Sequence, residues 1–420
     1  MKILYYNHTG QVSGAERVLL MILAKLDRTI FQAELLSPRG ELPNAATALG
    51  VTHSEIDNLS ARFTRRPDHL FRYLKSFTGL MRQVRSRVKS SQPDLIHANS
   101  VRAGLLMTIS TAGLKVPVLW HVHDMLPHHP LSTAIRLVVF CSRRTRVLSI
   151  SNAVRERFCG DLLRGKERAA NLILNAVDLE RFRPDMAARD SIREELGLTQ
   201  GDSVVGIVGQ ITPRKNQQGV LEAFGLVVKQ LPLATLLIVG APLFNDDDEY
   251  QKGLERTIDD HFLVDRVKFL GARNDVPAIT NALDVSIVNS RIEPFGLVVA
   301  EAMACGVPVL ATAVDGISEI VTHGEDGWLV PSQDKAALAS AIVDLIKSSD
   351  LRSQLAARGL ETVRRRFNSQ RYMSEMQECY LDTLGPGTAI ESRPLMLRRI
   401  LGSFFFILAV LAISFFVFKS

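Results

Sequence analysis

The chain has 420 residues, which is too long for one ordinary hydrophobic core, so we expect two domains with additional segments. Its 46% apolar and 22% charged residues are typical of a globular protein. The four cysteines show neither paired nor metal-type spacing, which argues against a disulfide framework and favours a reducing compartment. The net charge of +6 is modest, and no aromatic platform accompanies the basic residues, so nucleic acid is not an expected partner.

Short apolar runs alternate with helical patterns, and this alternation predicts βαβ units with parallel sheets. The first series of predicted strands is Lys2–Tyr6, Glu34–Ser37, Asp94–His97, Val116–His121, Val147–Ser149 and Asn171–Leu174. The second series is Ser203–Val208, Thr235–Val239, Val267–Leu270, Val285–Val288, Pro308–Ala311 and Gly327–Val330. Predicted helices of the second half are Gln217–Leu231, Asp334–Lys347, Leu351–Arg364 and Ser369–Leu384. The two series predict two α/β domains.

The first loop, NHTGQVSGAER, joins the first predicted strand to a helix that begins near Gly14. It matches neither G-x-G-x-x-G nor a Walker A motif, which disfavours dinucleotide hydride chemistry and ATP hydrolysis. Gly14 allows the backbone to approach a ligand closely at a helix N-terminus, where a phosphate is favoured. A tight turn without a ligand is the alternative interpretation.

Residues 62–89 contain nine Arg or Lys residues and a single acid, Asp68, with apolar residues at helical spacing. Such a basic amphipathic surface fits anionic lipid headgroups or a polyprenyl-diphosphate acceptor. An ordinary surface helix whose apolar face packs on the sheet explains the pattern equally well.

An apolar strand in VLWHVHDMLP ends in His121, His123 and Asp124. Histidines at i and i+2 can hold a metal, but no third ligand of suitable spacing is evident, so we expect no metal here. The acidic run NDDDE at 245–249 could hold Mg²⁺ or Mn²⁺ against a diphosphate. A helix cap that faces solvent explains this run better.

The second loop, VVGIVGQITPRKNQQGVLEAF, also follows a strand and opens a helix, and it carries Arg214 and Lys215. A leaving group that gains negative charge needs fixed cations at such a position. Two solvated surface cations are the alternative interpretation.

The segment SRIEPFGLVVAEAMACGVPVL places Glu293 on a loop and Glu301 eight residues later inside the following helix. The amides of Phe295, Gly296 and Leu297 would point outward at the positive end of the helix dipole, which suits a phosphate. Ionised carboxylates only accept hydrogen bonds, so they suit hydroxyl groups. A diphosphate next to hydroxyl groups describes a nucleotide-sugar. The alternative is a buried helix with a glutamate that caps something local.

The segment 400–418 carries no charged residue. As a helix it would be about 28 Å long, close to the roughly 30 Å hydrocarbon core of a bilayer, and we expect it to span or anchor to a membrane. Arg393, Arg398 and Arg399 precede it and only Lys419 follows, which predicts catalytic domains on the cytoplasmic face. A hairpin or an interfacial helix that does not span is the alternative.

These segments together resemble the retaining family-4 glycosyltransferases, which have the GT-B fold of two facing Rossmann-like domains with parallel sheets. The E-x7-E element from Glu293 to Glu301 carries the resemblance, and LSISNAVRERF, LILNAVDLERFRP and GARNDVPAITNALDVSIVNS extend it over most of residues 1–380. It implies an acceptor-side domain at 1–178, a linker at 179–201 and a donor-binding domain at 202–368. A crossover helix at 369–385 would return to the first domain, before the membrane helix at 400–418.

The resemblance also implies roles for individual residues. Glu301 would bind the ribose of the donor, Glu293 the hydroxyls of the transferred sugar, and the amides of Phe295, Gly296 and Leu297 would face the sugar and the diphosphate. The other implied contacts are Gly14 near the donor phosphate, Lys215 at the departing diphosphate, His123 beside the donor sugar and the backbone around Arg273 at the base.

Two residues depart from the family pattern. Gln210 stands where the family usually has an arginine, and Arg214 could supply the missing charge from a different starting point. Asp315 stands where the first glycine of a G-G-x-x-E pattern is usual, a departure that concerns the local turn and not the fold.

The sequence therefore predicts a retaining hexosyltransferase that moves a sugar from a nucleoside diphosphate donor to a lipid-linked or polysaccharide acceptor at the membrane. No cofactor and no metal are expected, because cations and helix ends supply the electrostatics. A sugar-nucleotide epimerase on the same fold, and an inactive membrane-anchored subunit that binds sugar nucleotides, are the alternatives. The base, the sugar, the linkage and the acceptor stay open.

Overall fold

The structure, a computed structural model, describes residues 1–58, 67–166, 169, 171–199, 201–242 and 246–385, and within 67–75 and 246–248 it describes the backbone alone. The chain divides into two compact units. Of the described residues, unit 1 contains those of Met1–Leu174 and those from Tyr372 to Gly385, and unit 2 contains those of Asn175–Arg371.

Unit 1 is built on a parallel sheet of seven strands. Its strands are β1 Lys2–Tyr6, β2 Gln32–Ser37, β3 Thr52–Glu55, β4 Leu95–Ala98, β5 Val118–Val122, β6 Thr145–Ser149 and β7 Asn171–Leu172. Its helices are α1 Gly14–Lys25, α2 Glu41–Ala48, α3 Pro67–Ser91, α4 Val101–Ser110, α5 Pro130–Cys141, α6 Asn152–Leu163 and, from the C-terminal part of the chain, α15 Ser369–Leu384.

The strand order in unit 1 is β3-β2-β1-β4-β5-β6-β7. The central strands form because continuous apolar runs are buried on both faces of a parallel sheet, as in β5, where all five residues are buried. The order reverses between β1 and β4, which lie side by side. In open α/β sheets, ligands bind beyond the carboxyl ends of the strands at such a reversal point.

Unit 2 is built on a parallel sheet of six strands in the order β10-β9-β8-β11-β12-β13. Its strands are β8 Ser203–Val208, β9 Ala234–Val239, β10 Val267–Gly271, β11 Val285–Val288, β12 Val309–Thr312 and β13 Trp328–Val330. Its helices are α7 Met186–Glu195, α8 Gln217–Val227, α9 Asp246–Asp260, α10 Val276–Ala282, α11 Leu297–Ala304, α12 Ile317–Ile320, α13 Lys335–Lys347 and α14 Ser349–Arg366. Here the reversal point lies between β8 and β11.

The core of unit 2 lies between its sheet and the helices α8 and α13. Phe224 of α8, Ile238 of β9 and Ile342 of α13 belong to one buried cluster and are fully or almost fully buried. Each such side chain stabilises the fold by roughly 1.5–3 kcal/mol through its removal from water. This packing holds the carboxyl ends of β8 and β11 in fixed positions.

The residues predicted as a linker contain helix α7, which is fixed to unit 2. Arg189 and Arg193 of α7 form ion pairs with the two carboxylate oxygens of Asp284, at 2.6 and 2.8 Å. Arg193 also donates to the carbonyl of Ala282 at 3.1 Å. Charged side chains therefore attach this helix to unit 2.

The two parallel-sheet, Rossmann-like α/β arrangements are confirmed, and β1, β8, β11 and α15 have the predicted bounds. Strand β3 was missed because its sequence, THSE, is polar. It forms the edge of the sheet, beside β2.

The membrane-spanning part of the predicted fold class needs correction. In the part of the chain that the structure describes, no helix has the length and apolarity to cross a membrane. The segment predicted for that role, 400–418, lies outside the described residues. The fold that the described residues show is two Rossmann-like α/β units with parallel sheets.

The predicted basic amphipathic surface at 62–89 lies partly outside the described residues, which resume with α3 at Pro67. Within α3, the apolar side chains of Phe77, Leu80, Val84 and Val88 are buried. The apolar face of this part of the helix therefore packs inside unit 1, as in the ordinary surface-helix interpretation.

Candidate active site

The two loops at the reversal point of unit 2 form a charged cluster. One loop, residues 209–216, follows β8, and the other, residues 289–296, follows β11. The backbone N–H of Arg291 donates to the carbonyl of Arg214 at 2.9 Å, which ties the two loops together. The chain thus brings the predicted cations and the first predicted glutamate to one place.

Glu293 is the centre of this cluster, and only 7% of it is exposed. The Lys215 Nζ lies 2.5 Å from Glu293 Oε2, which also accepts from the Ser290 hydroxyl at 2.8 Å. The Arg214 Nη1 lies 3.9 Å from Glu293 Oε1. Two cations and one hydroxyl therefore surround a single buried carboxylate.

The charge state of Glu293 follows from this environment. Burial raises its pKa, but the charges of Lys215 and Arg214 outweigh burial, so the pKa of Glu293 is lowered below its ordinary value. The carboxylate is ionised at neutral pH and acts only as a hydrogen-bond acceptor. Its Oε1 is the oxygen that lies beyond hydrogen-bond distance of Arg214.

Helix α11 begins beside the cluster, as the sequence predicts. Gly296 precedes its first residue, Leu297, with a φ of 101°, a left-handed conformation that favours glycine. The ring of Phe295 is buried and packs edge-on against Phe367, at 5.8 Å between ring centroids. The first N–H groups of a helix have no intrahelical partner. The backbone amides of Phe295, Gly296 and Leu297 are therefore suited to binding an anion. Glu301 lies in the second turn of this helix and is half-buried.

The turn at Asp315 forms although the family usually has glycine at this position. Asp315 adopts a φ of 39°, in the left-handed region. Its Oδ2 accepts from the backbone N–H of Glu293 at 3.1 Å, and the N–H of Gly316 donates to the Glu293 carbonyl at 3.0 Å. A Cβ at Gly316 would lie 2.4 Å from the Pro294 carbonyl oxygen, so only glycine fits there.

Arg291 was not singled out from the sequence, although it stands two residues before Glu293. Its Nη2 donates to Asn216 Oδ1 at 3.2 Å, and its backbone holds the Arg214 carbonyl. Gln210, which stands at the family's arginine position, is held through its carbonyl by Gln217 Nε2 at 2.9 Å. The cationic side chains of this site therefore come from Arg214, Lys215 and Arg291.

Arg273, predicted near the base, lies just after β10. Its guanidinium pairs with Asp275 at 2.6 Å and with Glu195 at 2.8 Å. The side chain is thus engaged in ion pairs, and its backbone is the part that remains for a ligand.

In unit 1, His123 follows β5 and is 7% exposed. Its Nε2 lies 3.1 Å from Asn99 Oδ1, and its ring lies 4.0 Å from the ring of His121. Burial lowers the pKa of His123 to about 3, so the ring is neutral at physiological pH. A neutral imidazole offers one N–H donor and one lone pair.

Gly14 is the first residue of α1 and is exposed. The N-cap residue Ser13 and Glu16 form a capping box, in which the Ser13 N–H donates to Glu16 Oε2 at 3.1 Å. The capping box fixes the start of this helix, where a phosphate was predicted.

The residues that the structure describes contain no group of three or more His, Cys, Asp or Glu that could hold a metal. Of the acidic run at 245–249, Asn245 lies outside the described residues and the side chains of 246–248 are not described.

The chain matches two family models that together cover most of its length. Residues 12–181 match Glycosyltransferase Family 4, and residues 188–362 match Glycosyl transferases group 1.

Similar curated proteins carry glycosyltransferase or synthase names. The chain is 32% identical over 203 residues to N-acetyl-alpha-D-glucosaminyl L-malate synthase of Bacillus anthracis, covering 48% of this chain and 51% of that protein. It is 26% identical to the UDP-Gal:alpha-D-GlcNAc-diphosphoundecaprenol alpha-1,3-galactosyltransferase of Escherichia coli, covering 74% of this chain and 80% of that protein. The crystal structure of Anabaena HepE in complex with UDP-glucose has a TM-score of 0.78 and 26% identity, covering 91% of this chain and 100% of that one.

Proposed function

We propose that the chain, which belongs to the family-4, group 1 glycosyltransferases of GT-B fold, is a hexosyltransferase of class EC 2.4 that transfers a sugar from a nucleoside diphosphate donor to a lipid-linked or glycan acceptor. The observation that carries this proposal is the buried Glu293 carboxylate, which contacts Lys215 at the reversal point of the unit 2 sheet. In this assignment unit 2 holds the donor, and unit 1, which contains His123, binds the acceptor.

The charged cluster suits both halves of a sugar nucleotide. The Lys215 ammonium has three N–H donors and gives one to Glu293, so two are left for diphosphate oxygens. Arg214 is 44% exposed at its side chain and can approach the same oxygens. Both cations stabilise the negative charge that grows on the departing diphosphate.

Glu293 would bind the hydroxyl groups of the transferred sugar. Its Oε1 keeps lone pairs for hydroxyl donors, because the Arg214 nitrogen lies 3.9 Å away. The N–H groups at the start of α11 would face the phosphate groups, and Glu301 would accept from the ribose. Retention of the anomeric configuration is part of the proposal and follows the family resemblance.

The donor and acceptor classes rest on what similar proteins bind or act on. HepE was crystallised with UDP-glucose, and the Escherichia coli relative is named for a galactose transfer to a diphosphoundecaprenol-linked sugar. By analogy, we propose a nucleoside diphosphate-sugar as the donor and a lipid-linked sugar as the acceptor of this chain. The reaction would then take place at the cytoplasmic face of a membrane, consistent with four cysteines, all in the described part of the chain, that form no disulfide.

The test is an assay of purified protein with UDP-, GDP- and ADP-sugars and a lipid-diphosphate-linked sugar acceptor. Release of nucleoside diphosphate together with a glycosylated acceptor supports the proposal, and the rate should persist in EDTA because Lys215 and Arg214 supply the positive charge. An isomerised donor would instead show an epimerase. Donor binding without either product would show an inactive binding subunit.

A further inference from the structure

Three neighbouring strands of unit 1 end in buried polar residues that bond to one another. Asn7 follows β1, Asn99 follows β4 and His123 follows β5, and β4 lies between the other two strands. Asn7 and Asn99 are both 0% exposed. We call these three residues the histidine relay. It lies at the reversal point of this sheet, where ligands are expected to bind.

The contacts of the relay form one continuous chain. Asn7 Nδ2 donates to the Thr9 carbonyl at 2.7 Å and to Glu16 Oε1 at 3.1 Å. Asn99 Nδ2 donates to Asn7 Oδ1 at 3.0 Å. Asn99 Oδ1 then lies 3.1 Å from His123 Nε2.

The direction of every bond in this chain is fixed by the first one. A backbone carbonyl can only accept, so the Asn7 amide must present its NH₂ to Thr9 and its oxygen to Asn99. Asn99 must therefore present its NH₂ to Asn7. That orientation also suits the Ala15 carbonyl, 3.4 Å from Asn99 Nδ2. The oxygen of Asn99 then faces His123, whose Nε2 has to carry the proton.

We propose that Asn7 and Asn99 are positioning residues that hold His123 in its Nε2–H tautomer, so that Nδ1 is an acceptor for a hydroxyl of the bound saccharide. The choice of tautomer stands on the contacts alone, whereas the saccharide rests on the proposed function. Protonation does not compete, because burial lowers the pKa of His123 to about 3.

The relay also couples the ring to the first loop. Thr9, Ala15 and Glu16, which all contact its asparagines, flank the start of α1 at Gly14. The loop predicted to approach a phosphate and the imidazole predicted to approach a sugar are thus positioned by the same bonds. Loss of one hydrogen bond in the histidine relay should therefore disturb both the first loop and the His123 ring.

The tautomer is measured directly by long-range ¹H–¹⁵N NMR of protein labelled at histidine, with the His123 signals assigned by their loss in His123→Gln. We expect Nε2 to carry the proton and Nδ1 to show the shift of an unprotonated nitrogen at pH 7. A proton on Nδ1, a mixture of tautomers or an imidazolium would overturn the inference. The result does not depend on any donor, so a failure of the proposed function leaves it interpretable.

Variants distinguish a role of Asn99 in positioning His123 from a general disturbance of the fold. Asn99→Leu should give a mixture of tautomers, because it removes the acceptor for Nε2–H. Ser100→Ala is the matched control, because Ser100 caps α4 through the Ala103 N–H at 3.0 Å and lies outside the relay. A wild-type tautomer in Asn99→Leu, or a changed one in Ser100→Ala, contradicts the assignment.

The saccharide contact is tested with the lipid-diphosphate-linked sugar acceptor, which unit 1 is proposed to bind. The Nδ1 resonance of His123 should shift with that acceptor and not with the same lipid diphosphate without its sugar. Equal shifts, or none, would overturn the contact while leaving the tautomer result in place. If no sugar nucleotide stabilises the protein, the proposed function itself fails.

Discussion

Lys215 and Glu293, 78 residues apart in the chain, meet at 2.5 Å in the loops that follow two adjacent strands of unit 2. Each residue stabilises the other: the ammonium keeps the buried carboxylate ionised, and the carboxylate fixes the position of the ammonium. In the proposed reaction both are already placed when the donor arrives, so little reorganisation is needed as charge develops.

Lys215→Met should reduce turnover by about 10²–10³-fold, because one fixed group that stabilises developing charge contributes roughly 3–4 kcal/mol to the barrier. The measurement is steady-state release of nucleoside diphosphate. Lys335→Met is the matched control, since Lys335 is an exposed lysine of the same unit that pairs with Glu222 at 3.6 Å. Equal losses in both variants would mean that the effect is not specific to the site.

The same substitution should change how the stability of the protein depends on pH. In the wild type the lowered pKa of Glu293 contributes stability above its unfolded value of about 4.3, and this contribution is lost as pH falls through the folded pKa. Without Lys215, burial should dominate and raise the pKa, so Lys215→Met should lose stability relative to wild type as pH rises from 4 to 7. Urea unfolding across this range measures it. Adding Glu293→Gln should abolish the extra slope, and a persistent slope would assign it to another group.

Arg214→Ala should lose much more turnover than stability, because its side chain is 44% exposed and its proposed role is in the reaction rather than in packing. The ratio of turnover loss to the shift in urea midpoint is the readout. Restoring the family's arginine as Gln210→Arg in the Arg214→Ala background should recover part of the rate if Arg214 replaces that charge. Unchanged turnover in Arg214→Ala would remove this residue from the site.

Asp315→Gly should lower turnover while it leaves stability nearly unchanged. Glycine adopts the φ of 39° at position 315 without strain, a gain of about 1 kcal/mol, which offsets the lost bond to the Glu293 amide. Thermal unfolding and steady-state kinetics of the same preparation compare the two effects. Asp315→Asn, which keeps an acceptor for that amide, should rescue turnover. Full activity in Asp315→Gly would show that the carboxylate does not position Glu293.

The sequence was informative where a residue type and its spacing carry the chemistry. Alternating apolar runs predicted both sheets, and a glutamate before a Pro-Phe-Gly turn placed Glu293 beside the start of α11. The relay of Asn7, Asn99 and His123 could not be predicted, because its bonds join residues 92 and 24 positions apart and buried asparagines have no periodic pattern. Helix α7 lies in the segment predicted as a linker, and its attachment to unit 2 through Arg189 and Arg193 could not be predicted, because these ion pairs join residues more than 90 positions apart.

The central claim is that Glu293 and Glu301 hold the sugar nucleotide. Lys215 and Arg214 stabilise the departing diphosphate. The most direct test of this claim is the rate of sugar transfer by the doubly substituted Glu293→Gln, Glu301→Gln protein, with folding verified by thermal unfolding. We predict a folded protein whose transfer rate is reduced by at least about 10³-fold, as expected for the loss of contacts made to the reacting sugar and its nucleotide. A doubly substituted protein that transfers sugar at the wild-type rate would contradict the account.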